Sequence, residues 1–320
     1  MTNNIKELFS REEMRELTAK SDWRGAWTII RVWGAIAITF AVLAAFPNPL
    51  TFILAVFILG GQQLTCAIIT HEAAHRTLFK TRWLNDHFSD FIGARPIWTD
   101  VFRYREHHIK HHAHTGTEKD PDMSLVTPFP TSRKSLWKKI LRDLSGRTGI
   151  RRLIGLIAMD LGILKYTVAA EVERIPRGDR TIWDYAREGF KNITPVILSN
   201  AVIVAVLAAF DIAWVYSAWV VAYLTTFSLY IRIRSIAEHA CLPGGEDIFE
   251  NTRTTKAGLL AKLTVAPMNV NYHQEHHLMA SVPYYQLPKM HKLLRERGQT
   301  EPARGYTDVL RLATASAAKD

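Results

Sequence analysis

The chain has 320 residues, 48% hydrophobic and 22% charged, with a formal net charge of +10 and two cysteines. That length suits one large domain or two ordinary ones, and two cysteines exclude a disulfide framework. The basic excess does not mark a nucleic-acid binder, because no aromatic–basic recognition module accompanies it.

Residues 1–24 are charged, and the apolar segment after them is too long for a secretory signal, so none is expected. Residues 27–46 (WTIIRVWGAIAITFAVLAAF) and 50–70 (LTFILAVFILGGQQLTCAIIT) are almost purely apolar and joined by Pro47-Asn48-Pro49. Each is close to the roughly 20 residues that cross a hydrocarbon core. Soluble helices carry a polar stripe, and these do not. Arg31 lies near the start of the first and within snorkelling reach of the interface.

HEAAH follows at once, placing His71 and His75 four apart on one helix face with Glu72 between them. Next comes REHHIKHHAHTGTEKDPD (105–122), where five of the chain's 13 histidines fall within eight residues. His108, His111 and His112 are spaced i, i+3, i+4 and are expected to share a face. Residues 153–170 resemble a fifth span, but Asp160, Lys165 and the flanking Arg151 and Arg152 favour an amphipathic helix lying in the interface. Residues 193–210 and 212–231 form a second apolar pair around Asp211. His239 comes about two turns later. His273, His276 and His277 repeat the H-x-x-H-H spacing, and the tail 312–320 reads as frayed.

Lys and Arg divide as 6 in residues 1–31, 22 in 76–191 and 12 in 232–319, with none in either short turn. By the positive-inside rule both pairs of spans dip in from the cytoplasmic side, with both termini inside. The expected fold is therefore an all-α integral membrane protein, one domain over 1–320. Four transmembrane helices in two hairpins carry a cytoplasmic histidine-rich helical cap (71–192 and 232–320) and interfacial amphipathic helices. A bacterial inner membrane is the expected location.

Nine histidines are candidate metal ligands: His71, His75, His108, His111, His112, His239, His273, His276 and His277. One ion cannot use nine nitrogens, whereas two can with positions left open. Imidazole suits Zn, Cu, Fe and Ni alike. HEAAH alone also fits a zinc metalloprotease helix with Glu72 as general base, but that leaves the other clusters unused. An ion path is disfavoured because the spans hold only Gln62 and Gln63 as notable polar groups. Glu72, Asp120, Asp122, Glu238 and Glu275 adjoin ligands and are expected to fix imidazole tautomers. Asp120 and Asp122 equally suit a turn cap around Pro121. His87 and His291 read as ordinary residues, and His107 and His114 as flanking ones.

HEAAH, HIKHH and HQEHH, in this order after two apolar pairs, resemble the three histidine boxes of membrane fatty acid desaturases; TGTEKDPD and VPYYQLPKMH support the likeness. The resemblance implies a four-span fold and two iron ions held by the nine histidines, His239 matching the ligand after the last span. It also implies O₂ and two electrons used against an unactivated C–H bond of a lipid acyl chain. Hydroxylases and ketolases share the same boxes. No cytochrome b5 haem motif is present, so electrons would come from a separate ferredoxin, rubredoxin or b5-type protein docking on the basic face.

Overall fold

The computed structural model describes residues 4–315, and those residues are largely helical. Among them the only strands are the two-residue pieces Thr255–Lys256 and Arg304–Gly305, paired in parallel. Helix α1 (Arg11–Leu17) starts at Ser10, whose hydroxyl accepts from Glu13 N while the Glu13 carboxylate accepts from Ser10 N. This reciprocal cap satisfies two otherwise orphaned donors. Helices α2 (Asp22–Ala45) and α3 (Pro49–Ala74) are separated by residues 46–48. Asn48 Oδ1 caps α3, accepting from Leu50 N (3.0 Å) and Thr51 N (3.1 Å), and Pro49 occupies the first turn, where its missing N–H is not needed.

Next in the chain are α4 (Val101–His114), α5 (Arg133–Leu144) and α6 (Arg147–Asp160). Helix α7 (Ile182–Ala209) is followed by α8 (Tyr216–Leu224) and α9 (Thr226–His239), which are broken apart only at Thr225. The chain continues with α10 (His273–Leu278), α11 (Leu287–Glu296) and α12 (Tyr306–Leu312). Of the tail expected to fray, Leu312 ends α12 and Ala313 is buried, while 316–320 lie outside the described residues.

Four helical stretches are long and apolar enough to cross a membrane: Arg11–Ala45, Pro49–Ala74, Ile182–Ala209 and Ala213–His239. They cover the four apolar segments to within one residue and run further. Hydropathy marks only the apolar part of a helix, whereas α3 continues through His71 and Glu72, α7 starts earlier at a charged turn, and α9 carries on to His239.

Helix α3 is central, packed on α2, α4, α8 and α9. Gly60 makes this possible, since any Cβ there would overlap the Thr226 side chain, whose hydroxyl donates to Val56 O at 2.8 Å. Gln63, buried in the same helix, donates to Trp219 O at 2.8 Å, so a polar group in an apolar span has a backbone partner. Helix α7 is peripheral: only 22% of its most apolar window is buried, and Ile197, Val202 and Val206 face outward.

Residues 153–170 do not form one helix. Helix α6 ends at Asp160, Gly162 takes φ +68°, and the chain turns back with Leu164 bridged to Arg174. Buried Asp160 accepts from Trp98 Nε1 (2.8 Å) and Arg103 Nη2 (2.7 Å), which fixes the helix end.

Candidate metal centre

The nine candidate imidazoles come from four helices. Helix α3 supplies His71, with His75 at its C-cap; α4 supplies His108, His111 and His112; His239 ends α9; and α10 supplies His273, His276 and His277. Asp100 makes α4 possible at this point, accepting from Phe102 N and Arg103 N at 2.8 Å each. The rings converge in two groups. His71, His75, His108, His112 and His276 form one, and His111, His239, His273 and His277 the other, with nitrogens inside each group within 4.8 Å of one another.

The H-x-x-H-H clusters do not aim all their rings at one point, as a shared face suggests. In α4 the i, i+4 pair His108 and His112 joins the five-histidine group while His111 crosses to the four-histidine group. In α10 the sense is reversed, with His273 and His277 in the four-histidine group and His276 in the other. Residue i+4 lies within about 40° of residue i around a helix and i+3 about 60° to the other side, so the motif divides its ligands. Ring centroids agree: 4.6 Å for His108–His112 and 4.4 Å for His273–His277, against 5.6 Å for His108–His111 and 6.0 Å for His273–His276.

Nε2 atoms face one another across both groups: His112 to His108 at 3.1 Å, His276 to His112 at 3.0 Å and His273 to His239 at 2.7 Å. Behind three rings, Nδ1 has an acceptor, and for His277 it is Thr115 Oγ1 at 3.2 Å, whose own proton goes to His111 O. His111 Nδ1–H donates to Asp120 Oδ1 (2.8 Å) and His239 Nδ1–H to Asn251 O (3.2 Å). A neutral ring that donates through Nδ1 keeps a bare lone pair on Nε2. His71 Nε2, His75 Nε2 and His277 Nε2 are buried with no hydrogen-bond partner.

Charge is suppressed at most of these rings. Burial, and then the neighbouring imidazoles, hold His108, His112, His273, His276 and His277 well below the ordinary histidine range. His111 is the exception. Burial opposes its charge, but the hydrogen bond to Asp120 and the nearby Asp122 and Glu238 carboxylates outweigh burial and raise it.

A family model for fatty acid desaturase matches residues 46–306. The chain belongs to the fatty acid desaturase family. A relative from Bradyrhizobium elkanii, dihydrorhizobitoxine desaturase, is 28% identical over 303 residues, covering 89% of this chain and 80% of the relative.

Around the histidine groups of this desaturase-family chain, the five expected acidic partners divide. Asp120 does both jobs open to it: besides His111 it accepts from Asp122 N (2.9 Å) and Gly116 N (3.2 Å), closing the turn. Asp122 takes His107 Nε2 at 2.8 Å, with its other oxygen 3.7 Å from His111 Nδ1. Glu238 is held by Arg234 at 2.6 Å and stands 3.5 Å from His273 Nδ1, beyond a normal hydrogen bond. Glu72 lies 3.3 Å from His71 Nδ1, and its Oε2 accepts from Thr77 Oγ1 (2.8 Å) and Tyr284 N (3.0 Å). Glu275 departs from expectation. It accepts from Thr254 and from His291 Nδ1 (2.6 Å), not from a box imidazole, so His291 is not an ordinary residue. His87 is one: it is exposed against Trp83 and Phe102. His114 lies outside both groups.

Three supports are invisible in the boxes. Arg105 donates to Ala74 O (2.7 Å) and Ala73 O (2.9 Å), tying the end of α3 to α4, and pairs with Asp86 at 2.5 Å. Asn251 holds His239 through its carbonyl and donates to Thr115 O (2.9 Å) and Gly245 O (2.7 Å). Tyr284 N–H reaches Glu72 from 212 residues away. The only signal for Tyr284 was its place in VPYYQLPKMH. Arg105 reads as one more surface cation.

Proposed function

We propose that this chain is an O₂-dependent oxidoreductase that introduces a double bond into the acyl chain of a lipid, using two irons held by the nine histidines. Convergence of nine imidazoles into a five-ligand and a four-ligand group carries the reading. The donor set fits. An imidazole–metal bond of about 2.1 Å places neighbouring ligand nitrogens about 3 Å apart, which matches the 3.0 and 3.1 Å Nε2 separations. The buried Nε2 atoms without partners are what a metal would satisfy.

His71, His75, His108, His112 and His276 would hold one ion and His111, His239, His273 and His277 the other. When bound, the pair supplies the O₂ chemistry that removes hydrogen from an unactivated C–H bond. The overall reaction balances with two electrons from the C–H pair, two from a separate donor protein and two protons, giving an alkene and two waters. Asp120 and the Asn251 carbonyl fix His111 and His239 with Nε2 inward. Burial keeps most remaining imidazoles neutral and so ready to bind metal. The zinc-protease reading of HEAAH loses its general base, because Glu72 is 2% exposed and already engaged by Thr77 and Tyr284 N.

The reading includes two membrane hairpins, 27–46 with 50–70 and 193–210 with 212–231, under a cytoplasmic cap. It is supported by four apolar helices and by the absence of Lys and Arg from both short turns. Desaturation is favoured over hydroxylation or ketolation because the relative is named a desaturase.

Expression in a host of known lipid composition, with a ferredoxin and its reductase, tests this by mass spectrometry of whole lipids. A new double bond and about two irons per chain are expected. A new hydroxyl or keto group would overturn the desaturation step, and stoichiometric zinc without iron would overturn the metal centre.

A further inference from the structure

Helices α5 and α6 carry a surface that the metal centre does not use. Lys138, Lys139, Arg142 and Arg147 line one groove, together with the hydroxyls of Ser135 and Ser145. Among the described residues none of these four cations is in an ion pair. The nearby carboxylate, Asp143, is fully buried and already taken by Arg232 (2.5 and 2.9 Å) and Thr148 (2.5 Å). The groove therefore presents cations with no ion-paired carboxylate, Asp143 acting on Lys139 only at a distance. Burial, with the Arg232 and Arg142 guanidiniums, holds the Lys139 ammonium below its ordinary range, a strain that a bound anion would relieve.

Apolar side chains flank the cations. Trp137 is 63% exposed, Leu141 61% and Ile154 62%, and Leu144 and Ile150 at the α5–α6 junction are exposed too. The depth of this junction follows from its packing. Gly149 sits so close to the Leu224 carbonyl that any Cβ would overlap it, and Arg152 donates to Tyr223 O (2.7 Å) and Ser228 Oγ (3.0 Å). Leu224 ends α8, seven residues before 231, where the fourth apolar segment ends, with the break at Thr225 between them. The junction thus meets the fourth span below its end, at the depth where an interfacial helix buries its apolar face. Lys and Arg on the same pair of helices then stand at headgroup level.

We infer that the α5–α6 groove binds the phosphate of an anionic lipid headgroup, with Trp137 and Leu141 inserted beside its acyl chains. This rests on the membrane topology proposed above, and not on the metal or the reaction. An acidic electron-donor protein would also seek cations, but it gives no role to exposed apolar residues at membrane depth.

The test uses the full-length protein purified in detergent, with native mass spectrometry measuring the affinity of phosphatidylglycerol, phosphatidylcholine and inorganic phosphate. A variant combining Lys138→Gln, Arg142→Gln and Arg147→Gln removes three exposed or half-exposed cations. Each is worth about fivefold in anionic-lipid affinity, so the triple variant should bind phosphatidylglycerol about 100-fold more weakly. Its phosphatidylcholine affinity and melting temperature should stay at wild-type values, which separates lost binding from lost folding. Equal affinity of the wild type for the two lipids overturns the inference, as does a triple variant that keeps phosphatidylglycerol. Displacement of the lipid by millimolar inorganic phosphate would make this a free-anion site. Loss of ferredoxin binding with retained phosphatidylglycerol would make it a donor surface. No outcome depends on iron or product, so failure here and failure of the desaturase reading are distinguishable.

Discussion

Replacing Asp120 by Asn separates the two histidine groups. Asp120 Oδ1 accepts from His111 Nδ1–H at 2.8 Å and from Asp122 N at 2.9 Å, while Oδ2 accepts from Gly116 N at 3.2 Å. Asn has one oxygen for three donors. With that oxygen on His111, its NH₂ faces the Gly116 N–H; rotated, the NH₂ faces His111. Either orientation leaves a buried donor unpaired, which costs about 1–3 kcal/mol. A lost orienting partner behind a metal-bound imidazole typically costs about 10–100-fold in metal affinity, equivalent to about 1.4–2.7 kcal/mol. The two ranges overlap, so the weakened affinity has a sufficient cause. Only His111, in the four-histidine group, touches Asp120. Asp120→Asn should therefore lower iron from about two per chain toward about one, read by elemental analysis against a competing chelator. Equal loss from both sites, or full retention of both ions, would refute the division of the ligands into two groups.

Arg105→Lys removes a fork that reaches two helix-end carbonyls at once, and should destabilise the protein by about 1.5–3 kcal/mol in thermal or denaturant unfolding. Wild-type stability would show that Arg105 does not tie α3 to α4. His291→Phe leaves the fully buried Glu275 carboxylate with Thr254 alone, and a double-mutant cycle with Glu275→Gln should give a coupling of about 1–3 kcal/mol; zero coupling would return His291 to the ordinary residues. The metal-free protein should lose stability as pH falls below about 6.5. His108, His112, His273, His276 and His277 are depressed in the folded state, so the unfolded chain takes up protons there that the folded chain refuses. His111, raised, contributes in the opposite sense and is outnumbered. Melting curves of chelator-treated protein from about pH 8 down to about pH 5 check the sign, and a flat profile would contradict it.

The four apolar segments and the nine histidines were legible because each is a local pattern: a run of apolar residues, or imidazoles at i, i+3, i+4. The ends of the spans were less legible. Apolarity stops at Thr70 and Ile231, but the helices do not, since backbone hydrogen bonds continue through the polar residues that follow. The break of 153–170 was hidden because it depends on Asp160 meeting Trp98 and Arg103, partners 62 and 57 residues away. Supports that use backbone atoms leave no residue-type signature at one end. Arg105 to the α3 carbonyls, Tyr284 N–H to Glu72 and the Asn251 carbonyl to His239 are all of that kind.

The H-x-x-H-H spacing matters more than the count of histidines. A helix carrying only i, i+4 pairs would build one site and leave the second to be assembled from other elements. By adding i+3, α4 and α10 each reach both groups, and they do so in opposite senses: α4 gives two rings to the five-histidine group and one to the other, α10 one and two. The remaining rings come from the span ends, His71 and His75 to the first group and His239 to the second. Neither group can then move relative to the other without bending a helix that serves both. His111 and His112 are adjacent in sequence, yet they face different groups with rings 5.9 Å apart at 75°. The separation of the two groups is thus set by the 100° turn between consecutive helical residues, a far stiffer spacer than any loop.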